Sequence, residues 1–254
     1  MNKKILEKIF LNQFGAIKPP WINKDVFYKL PFNFCDRFCE RCQFQKICRV
    51  FLEEKKRQKK WQKIGVDPYS NKAVFISLYE TLTQLKTLLE KDLERLNIKI
   101  SKEDKIRIEK EEEIKEIMVE KDGLVLISKK LSYSLLKLLE DIFYFFEENT
   151  PKEIEEEIKI INFYLFFFSV KIQRAVLSEI EEKEMDYEDT TFDSKNSAFL
   201  SYVSIVKIIN ALQNLLRFKK FPESIYHKTK KLIKALKNLN ELLDTKFHLQ
   251  ILSI

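Results

Sequence analysis

Residues 151–184 read PKEIEEEIKIINFYLFFFSVKIQRAVLSEIEEKE, and their periodicity decides the fold. Apolar side chains recur every three or four positions along one face of a predicted helix: Ile154, Ile158, Ile161, Leu165, Phe168, Ile172, Val176 and Ile180. Aromatic residues supply a second apolar face, which predicts a helix that is buried on two sides and central to the fold. Thr150 as the cap, Pro151 at the first position and Glu153 at the third form a helix-start signal.

Four further stretches carry the same periodicity, at residues 71–97, 124–148, 196–218 and 222–247. The apolar seam of the first stretch consists of Phe75, Leu78, Leu82, Leu85, Leu89, Leu93 and Leu96. With three glycines and six prolines, the chain has few helix breakers. These patterns predict an all-α protein, an antiparallel bundle of four to five core helices. Residues 98–122 are dominated by Lys and Glu, and we expect a solvated helix or a mobile connection there.

All four cysteines lie in one stretch, FCDRFCERCQFQKICRVF at residues 34–51; they are Cys35, Cys39, Cys42 and Cys48. Their spacing, C-x3-C-x2-C-x5-C, allows four thiolates to converge on one centre without help from distant chain. Arg and Lys residues interleave the cysteines, and a cation near a thiol favours the thiolate that binds metal. The sequence therefore predicts an N-terminal metal-binding module at residues 1–65 and a helical bundle at 66–254. A helix is expected to begin at about Cys42.

Two cofactors suit this donor set. Zinc would take all four thiolates in a closed tetrahedral site with a structural role. Familiar zinc sites separate two cysteine pairs by about 12–20 residues, whereas iron–sulfur clusters more often draw their ligands from one compact run. We therefore expect a [4Fe–4S] cluster, with zinc as the alternative. Disulfides are disfavoured because the N-terminus lacks the apolar core and cleavage site of a secretory signal.

The run from Cys39 to Cys48, CERCQFQKIC, resembles the cysteine run that binds a [4Fe–4S] cluster in RecB-like nucleases, where an aromatic residue often stands in the place of Phe44. The resemblance implies three cluster ligands here, and Cys35 would take the place of the further cysteine that completes the cluster. The spacing from Cys35 to Cys42 also resembles that of radical-SAM enzymes. The whole run resembles that of uncharacterised bacterial all-helical proteins with an N-terminal C-x3-C-x2-C-x5-C pattern, which implies no function.

The sequence lacks the structural context that a RecB-like nuclease or a radical-SAM enzyme requires around its functional residues. The E-x-K triplets of a nuclease recur at residues 113–115 and 157–159, but both fall in helical sequence and not on strands. A radical-SAM enzyme needs a β/α barrel with Gly-rich strand ends. His227 and His248, the two histidines, do not complete the E-x-x-H pairs of a di-iron bundle. The sequence also contains no phosphate-cradling glycine loop and no G-x-S-x-G elbow. We therefore predict no catalytic residues.

The net charge of +7 divides unevenly along the chain. Residues 1–65 and 196–254 are basic, and residues 66–195 are acidic. Charge complementarity within one fold or between subunits explains this division, and a basic surface for nucleic acid or an acidic protein partner is the alternative. The basic run EEKKRQKKWQK at residues 53–63 is expected to be a solvated helix face, and contact of its basic residues and Trp61 with nucleic-acid phosphates and a base is the alternative. Carboxylates at residues 185–195 lack the spacing of an EF-hand, so no cation site is expected there.

The most apolar run, at residues 160–170, is about half the length of roughly 20 residues needed to span a bilayer. We therefore expect a cytoplasmic protein outside the membrane. Three functional hypotheses remain open: a metal-binding protein whose cluster is structural or senses redox state or iron, a nucleic-acid- or protein-interaction module with structural zinc, and an electron-transfer component. The oligomeric state and the partner are not predicted.

Overall fold

The computed structural model describes residues 35–42, 45–46, 48–147, 150–184 and 192–249. Within these ranges the chain forms one short 3-10 turn, Cys39–Arg41, and no strand. The helices are α1 (Arg49–Lys63), α2 (Asn71–Arg95), α3 (Lys102–Lys121), α4 (Gly123–Phe145), α5 (Lys152–Glu184), α6 (Phe192–Leu215) and α7 (Glu223–Phe247). The all-α prediction is confirmed for the described residues.

The described chain divides into two compact units. One contains residues 35–38 and 114–249, and the other contains Cys39–Glu113. Residue 65, the last of the predicted N-terminal module, lies inside the second unit, in the turn between α1 and α2. Gly65 occupies that turn with φ +70°, a left-handed conformation that costs glycine little.

Helices α4 to α7 form the bundle of the first unit. Helix α5 packs against α4 and α6, and α7 packs against α6 and α4, so the four helices close a ring. Short connections between successive helices place neighbours antiparallel. The predicted apolar seam of α5 is buried throughout, except that Ile180 is half-buried. The interior is filled by large side chains that are fully buried: Tyr164, Phe168, Phe199, Leu135, Leu138, Leu139, Ile142, Ile161, Leu165, Ile172 and Leu200.

Helices α1 and α2 form a hairpin in the second unit. The Trp61 side chain of α1 is 5% exposed, and its indole N–H donates to Ser77 Oγ of α2 over 3.2 Å. Lys60 Nζ lies 3.1 Å from a carboxylate oxygen of Glu80. Ser70 caps α2 by accepting a hydrogen bond from Ala73 N, as its position before the apolar pattern predicts.

The predicted seam of α2 does not belong to the bundle core. Its side chains are exposed or half-buried, and Phe75 is 69% exposed. The prediction that this seam packs in the bundle is wrong for the described chain. Periodicity shows that a helix has an apolar face, but it does not show which surface covers that face. Helix α3 matches the predicted solvated helix, because Val119 is the one buried residue among Lys102–Lys121.

Among the described residues, α5 and the 193–215 part of α6 are each long and apolar enough to cross a bilayer. Core helices of soluble proteins share this length and composition, so the observation is weak evidence for a membrane. In this structure, 44% of the most apolar window of α5 and 67% of that of α6 are buried in protein. The expectation of a cytoplasmic protein stays a prediction.

Candidate metal centre

The four cysteines lie where the two units join along the chain. Cys35 belongs to the unit that contains the bundle, and Cys39, Cys42 and Cys48 belong to the unit that contains α1 and α2. Each cysteine is half-buried. Partial exposure leaves a thiol within reach of an incoming metal ion, as a binding site requires.

A buried ion pair fixes the residue next to Cys35. The Asp36 carboxylate is buried against the bundle, and Lys207 Nζ of α6 donates to its Oδ2 over 2.5 Å. The hydroxyl of Tyr164, on α5, donates to the same oxygen. Phe38 N donates to Oδ1 over 3.0 Å. The carboxylate therefore ties residues 35–38 to two bundle helices at once.

The electrostatics of this cluster favour the ionised carboxylate. Burial alone raises the pKa of Asp36. The charge of Lys207, together with hydrogen bonds from Lys207, Tyr164 and the Phe38 amide, outweighs burial, so the pKa lies below its usual value. Lys207 Nζ also lies 3.0 Å from Tyr164 Oη and 5.1 Å from the centroid of the Tyr164 ring. We call Asp36, Tyr164 and Lys207 the Asp36 cluster.

An aromatic contact adds to this anchor. The ring of Phe38 stacks on Phe163 of α5 with centroids 4.1 Å apart and planes 12° apart. The rings of Phe38 and Tyr164 also meet edge to face, with their centroids 5.9 Å apart. Arg37, between Asp36 and Phe38, adopts the left-handed region with φ 58°, which is uncommon for a residue with a Cβ. This backbone turn lets Asp36 and Phe38 both face the bundle while Arg37 remains exposed.

Positive charge collects beside Cys35. Burial lowers the pKa of Lys171, on α5, and the charge of Arg37 lowers it further. Asp193 and Cys35 oppose this shift, which places the thiol within electrostatic reach of the ammonium group. A cation in such a position favours a thiolate, the form that binds metal.

The remaining cysteines surround a tight turn. Cys42 N donates to Cys39 O over 3.2 Å, which closes the 3-10 turn. The side-chain amide of Gln45 donates to the same carbonyl over 2.5 Å. The predicted helix start at about Cys42 is wrong, because α1 begins at Arg49.

Cys48 occupies the N-cap position of α1, with φ −73° and ψ 113°. Its side chain makes no capping hydrogen bond, whereas Ser, Thr, Asp and Asn are the residues that cap well. A cysteine therefore contributes little to the start of this helix. The position suits a ligand better than it suits a cap.

The donor set fits zinc or an iron–sulfur cluster, because both take cysteine thiolates. Among the residues that the structure describes, which include all four cysteines, no three His, Cys, Asp or Glu side chains are gathered as a metal site. Thiolate sites commonly acquire their arrangement from the metal itself, since the energy of ligation organises the chain around it. Which metal binds, and whether all four cysteines take part, stay predictions.

The sequence analysis missed the Asp36 cluster. Its partners are 128 and 171 positions apart along the chain, beyond the reach of any local pattern. One signal was present, because Lys207 is the single charged residue between positions 196 and 216. A lone lysine in an otherwise apolar helix indicates a buried counter-charge. The sequence does not identify that counter-charge as Asp36.

Two other predicted surfaces have clear outcomes. Trp61 is buried against Ser77, so it is not available to stack on a nucleic-acid base, while the lysines around it are exposed. Within the acidic stretch 185–195, Asp193 pairs with Arg174, whose Nη2 lies 2.6 Å from its Oδ2. The same oxygen accepts a hydrogen bond from Ser178 Oγ over 2.9 Å. Asp186, Glu188 and Asp189 lie outside the described residues.

No protein-family model, no curated protein and no solved structure matches the chain. The resemblance of residues 39–48 to a cluster-binding run therefore remains an argument from the residues themselves. The two E-x-K triplets lie within α3 and α5, as expected for helical sequence.

Proposed function

We propose that Cys35, Cys39, Cys42 and Cys48 bind a [4Fe–4S] cluster that is structural or senses redox state or iron. The observation that carries the proposal is the confinement of every cysteine to fourteen residues, each of them half-buried. The Asp36 cluster anchors one end of this segment, and α1 begins at its other end. The anchor at Asp36 reduces the entropy that ordering the neighbouring Cys35 costs.

The residues that the structure describes support a binding role. The bundle interior is filled by apolar packing, and its buried carboxylate, Asp36, is neutralised by Lys207. When bound, the cluster would supply reversible one-electron chemistry. Lys171 and Arg37 would balance its negative charge near Cys35. We therefore propose a non-catalytic, cytoplasmic protein, in which a reducing compartment keeps the thiols available.

Structural zinc is the alternative occupant of the same ligands, within a nucleic-acid- or protein-interaction module. Electron transfer to a partner protein is a further alternative role for the cluster. These alternatives differ in what the metal does under reduction. Zinc has no accessible redox change. Loss of a sensing or structural cluster changes the protein, whereas an electron carrier changes oxidation state repeatedly without losing its cluster.

The test is metal analysis with an absorption spectrum, on full-length protein purified without oxygen and without added metal. We expect about four irons per chain, the stoichiometry of the cluster, and a broad visible band that decreases on reduction. Reoxidation that restores the band with iron retained would favour electron transfer, and loss of iron would favour sensing. One zinc and no colour would establish the alternative.

Single Cys→Ser variants assign the ligands, with Glu40→Ser as the matched control. Glu40 is exposed in the same 3-10 turn, so its replacement changes the turn without removing a thiol. Each cysteine variant is expected to lose most of the bound metal, and Glu40→Ser is expected to retain it. Neither iron nor zinc in the wild-type protein, with four readily alkylated thiols, would overturn the proposal.

Nucleic-acid binding is a second candidate function, favoured by one face of α7. Lys230, Lys231, Lys234 and Lys237 are all exposed on this helix, and we call them the α7 lysine face. The turn that precedes α7 adds two more exposed lysines, Lys219 and Lys220. Clustered lysines on a helix suit a phosphate backbone.

A further inference from the structure

Helix α2 presents a continuous apolar seam that its own unit leaves open. Six residues of the seam are between 50% and 69% exposed: Phe75, Leu78, Leu82, Leu85, Leu89 and Leu96. Leucines at comparable spacing on α4, such as Leu135 and Leu138, are at most 1% exposed. The same sequence pattern is therefore covered in the bundle and uncovered on α2.

The partner helix of the hairpin cannot cover this seam, because it lies on the opposite side of α2. Ala73, Ser77 and Glu80 face α1, as the buried Ala73 and the contacts of Ser77 and Glu80 show. At about 100° per residue, these positions share one side of the helix. The centre of the seam lies about 150° away around the axis. Helix α2 thus has one face for α1 and a second face for another helix.

The size of the seam matches that of a protein interface. A half-exposed leucine or phenylalanine presents roughly 100 Å² of surface, so the six residues with exposed Val74 and Tyr79 at the seam's edges present roughly 800 Å². About 800 Å² per partner is typical of a stable interface. Monomeric soluble proteins rarely expose a contiguous apolar patch of this extent without a partner.

We propose that a second copy of this chain covers the seam, with α2 pairing against α2 in a symmetric dimer. Spacings of three and four residues are those of helices that pack side by side with interlocking side chains. Helix α2 carries four basic and four acidic residues, so two copies meet without net repulsion. A two-fold axis lets the same patch serve both partners.

The length of the seam argues against the chain's own N-terminal segment as the occupant. The seam spans residues 75–96, about 32 Å of helix. Residues 2–12 have an amphipathic pattern in the sequence, and a helix of that length would extend about 16 Å and would cover half of the seam. A second α2, by contrast, matches the seam along its whole length.

The test is the mass of the full-length protein in solution, by sedimentation equilibrium from about 1 to 100 μM in reductant, which prevents disulfide-linked dimers. We expect a dimer of twice the 30.5 kDa chain. In Leu82→Glu/Leu85→Glu, four charges would enter the shared seam, and we expect the dissociation constant to rise at least about a hundredfold. Both residues are exposed in the chain, so helix content by circular dichroism should be unchanged.

The matched control is Thr83→Glu/Thr87→Glu, which adds the same charge to exposed positions of α2 outside the seam. This control should remain dimeric. If the leucine variant loses helix content, Leu82→Ala/Leu85→Ala gives the same test with better helix formers and a smaller rise in the dissociation constant. A wild-type monomer up to 100 μM, or a dimer that survives the leucine substitutions, would overturn the proposal. A monomeric wild type would leave the seam to another occupant.

Discussion

Asp36 shows how one carboxylate can position a segment that has little regular structure of its own. Its two oxygens accept from a backbone amide, a tyrosine hydroxyl and an ammonium group. A buried carboxylate without these donors would face a large desolvation cost, so each donor is needed to keep the charge buried. The preceding residue, Cys35, is thereby held near the bundle surface.

A double-mutant cycle measures this interaction. Lys207→Met leaves the buried Asp36 carboxylate without its cation and should lower the free energy of unfolding by about 2–4 kcal/mol. Asp36→Asn removes the charge itself and should cost about 1–3 kcal/mol. The double variant should lose less than the sum, by about 1–3 kcal/mol, in urea denaturation.

The control for that cycle is the pair of Lys228 and Asp141, which also joins two helices, over 2.6 Å, but lies at the surface. Lys228→Met should change the free energy of unfolding by at most about 1 kcal/mol, because solvent screens an exposed pair. Equal losses for Lys207→Met and Lys228→Met would contradict the anchoring role of Lys207.

Helix limits depend on short-range chemistry that periodicity does not contain. Asp122 accepts hydrogen bonds from Leu124 N at 2.8 Å and Val125 N at 3.4 Å, so it caps α4. The sequence pattern places the start of this helix at residue 124, whereas Gly123 is the first residue of α4. The capping pattern was available in the sequence, because an aspartate precedes an apolar periodic run.

Asp122 also receives Lys246 Nζ of α7 at 2.7 Å, so its two roles need separate variants. Asp122→Ala removes both roles and should lower the free energy of unfolding by about 1–2 kcal/mol. Asp122→Asn retains a capping oxygen and loses the ion pair, so it should cost less than Asp122→Ala, whereas Lys246→Met would also remove the pair with Glu179. Thermal or urea unfolding gives these values, and equal losses for the alanine and asparagine variants would exclude a contribution from the cap.

For the molecule as a whole, the sequence predicted the helices better than it predicted their partners. Helices α4 to α7 carry apolar seams that fit a bundle, and they do pack in a ring. The seam of α2 has the same periodicity, yet it is exposed, because periodicity encodes a face and not its neighbour. The cysteine spacing identified a candidate site, but the buried Asp36 cluster beside it depends on contacts between distant residues and was not predicted.

The distribution of charge over the molecule makes the second candidate function testable. Replacing the α7 lysine face by glutamate should weaken binding to labelled duplex DNA and single-stranded RNA, because phosphate contacts are lost. The matched control reverses the same number of exposed lysines on α2 and α3 and in the connection between them: Lys91, Lys99, Lys105 and Lys110. In a plot of the logarithm of affinity against the logarithm of salt concentration, the α7 variant should have a shallower slope than the wild type, and the control should not. No salt-dependent binding by the wild-type protein would remove this candidate.

The indole of Trp61 makes the second unit optically distinguishable from the first. The chain has two tryptophans, Trp21 and Trp61, so a Trp21→Phe variant retains a single tryptophan, which can be excited selectively. Its emission would report the separation of α1 from α2, whereas the far-ultraviolet signal would report every helix at once. Coincident denaturation curves would mean that both units unfold as one cooperative system, and separate curves would mean that the hairpin opens while the bundle stays folded. The fluorescence of one buried side chain therefore shows whether the two units unfold cooperatively.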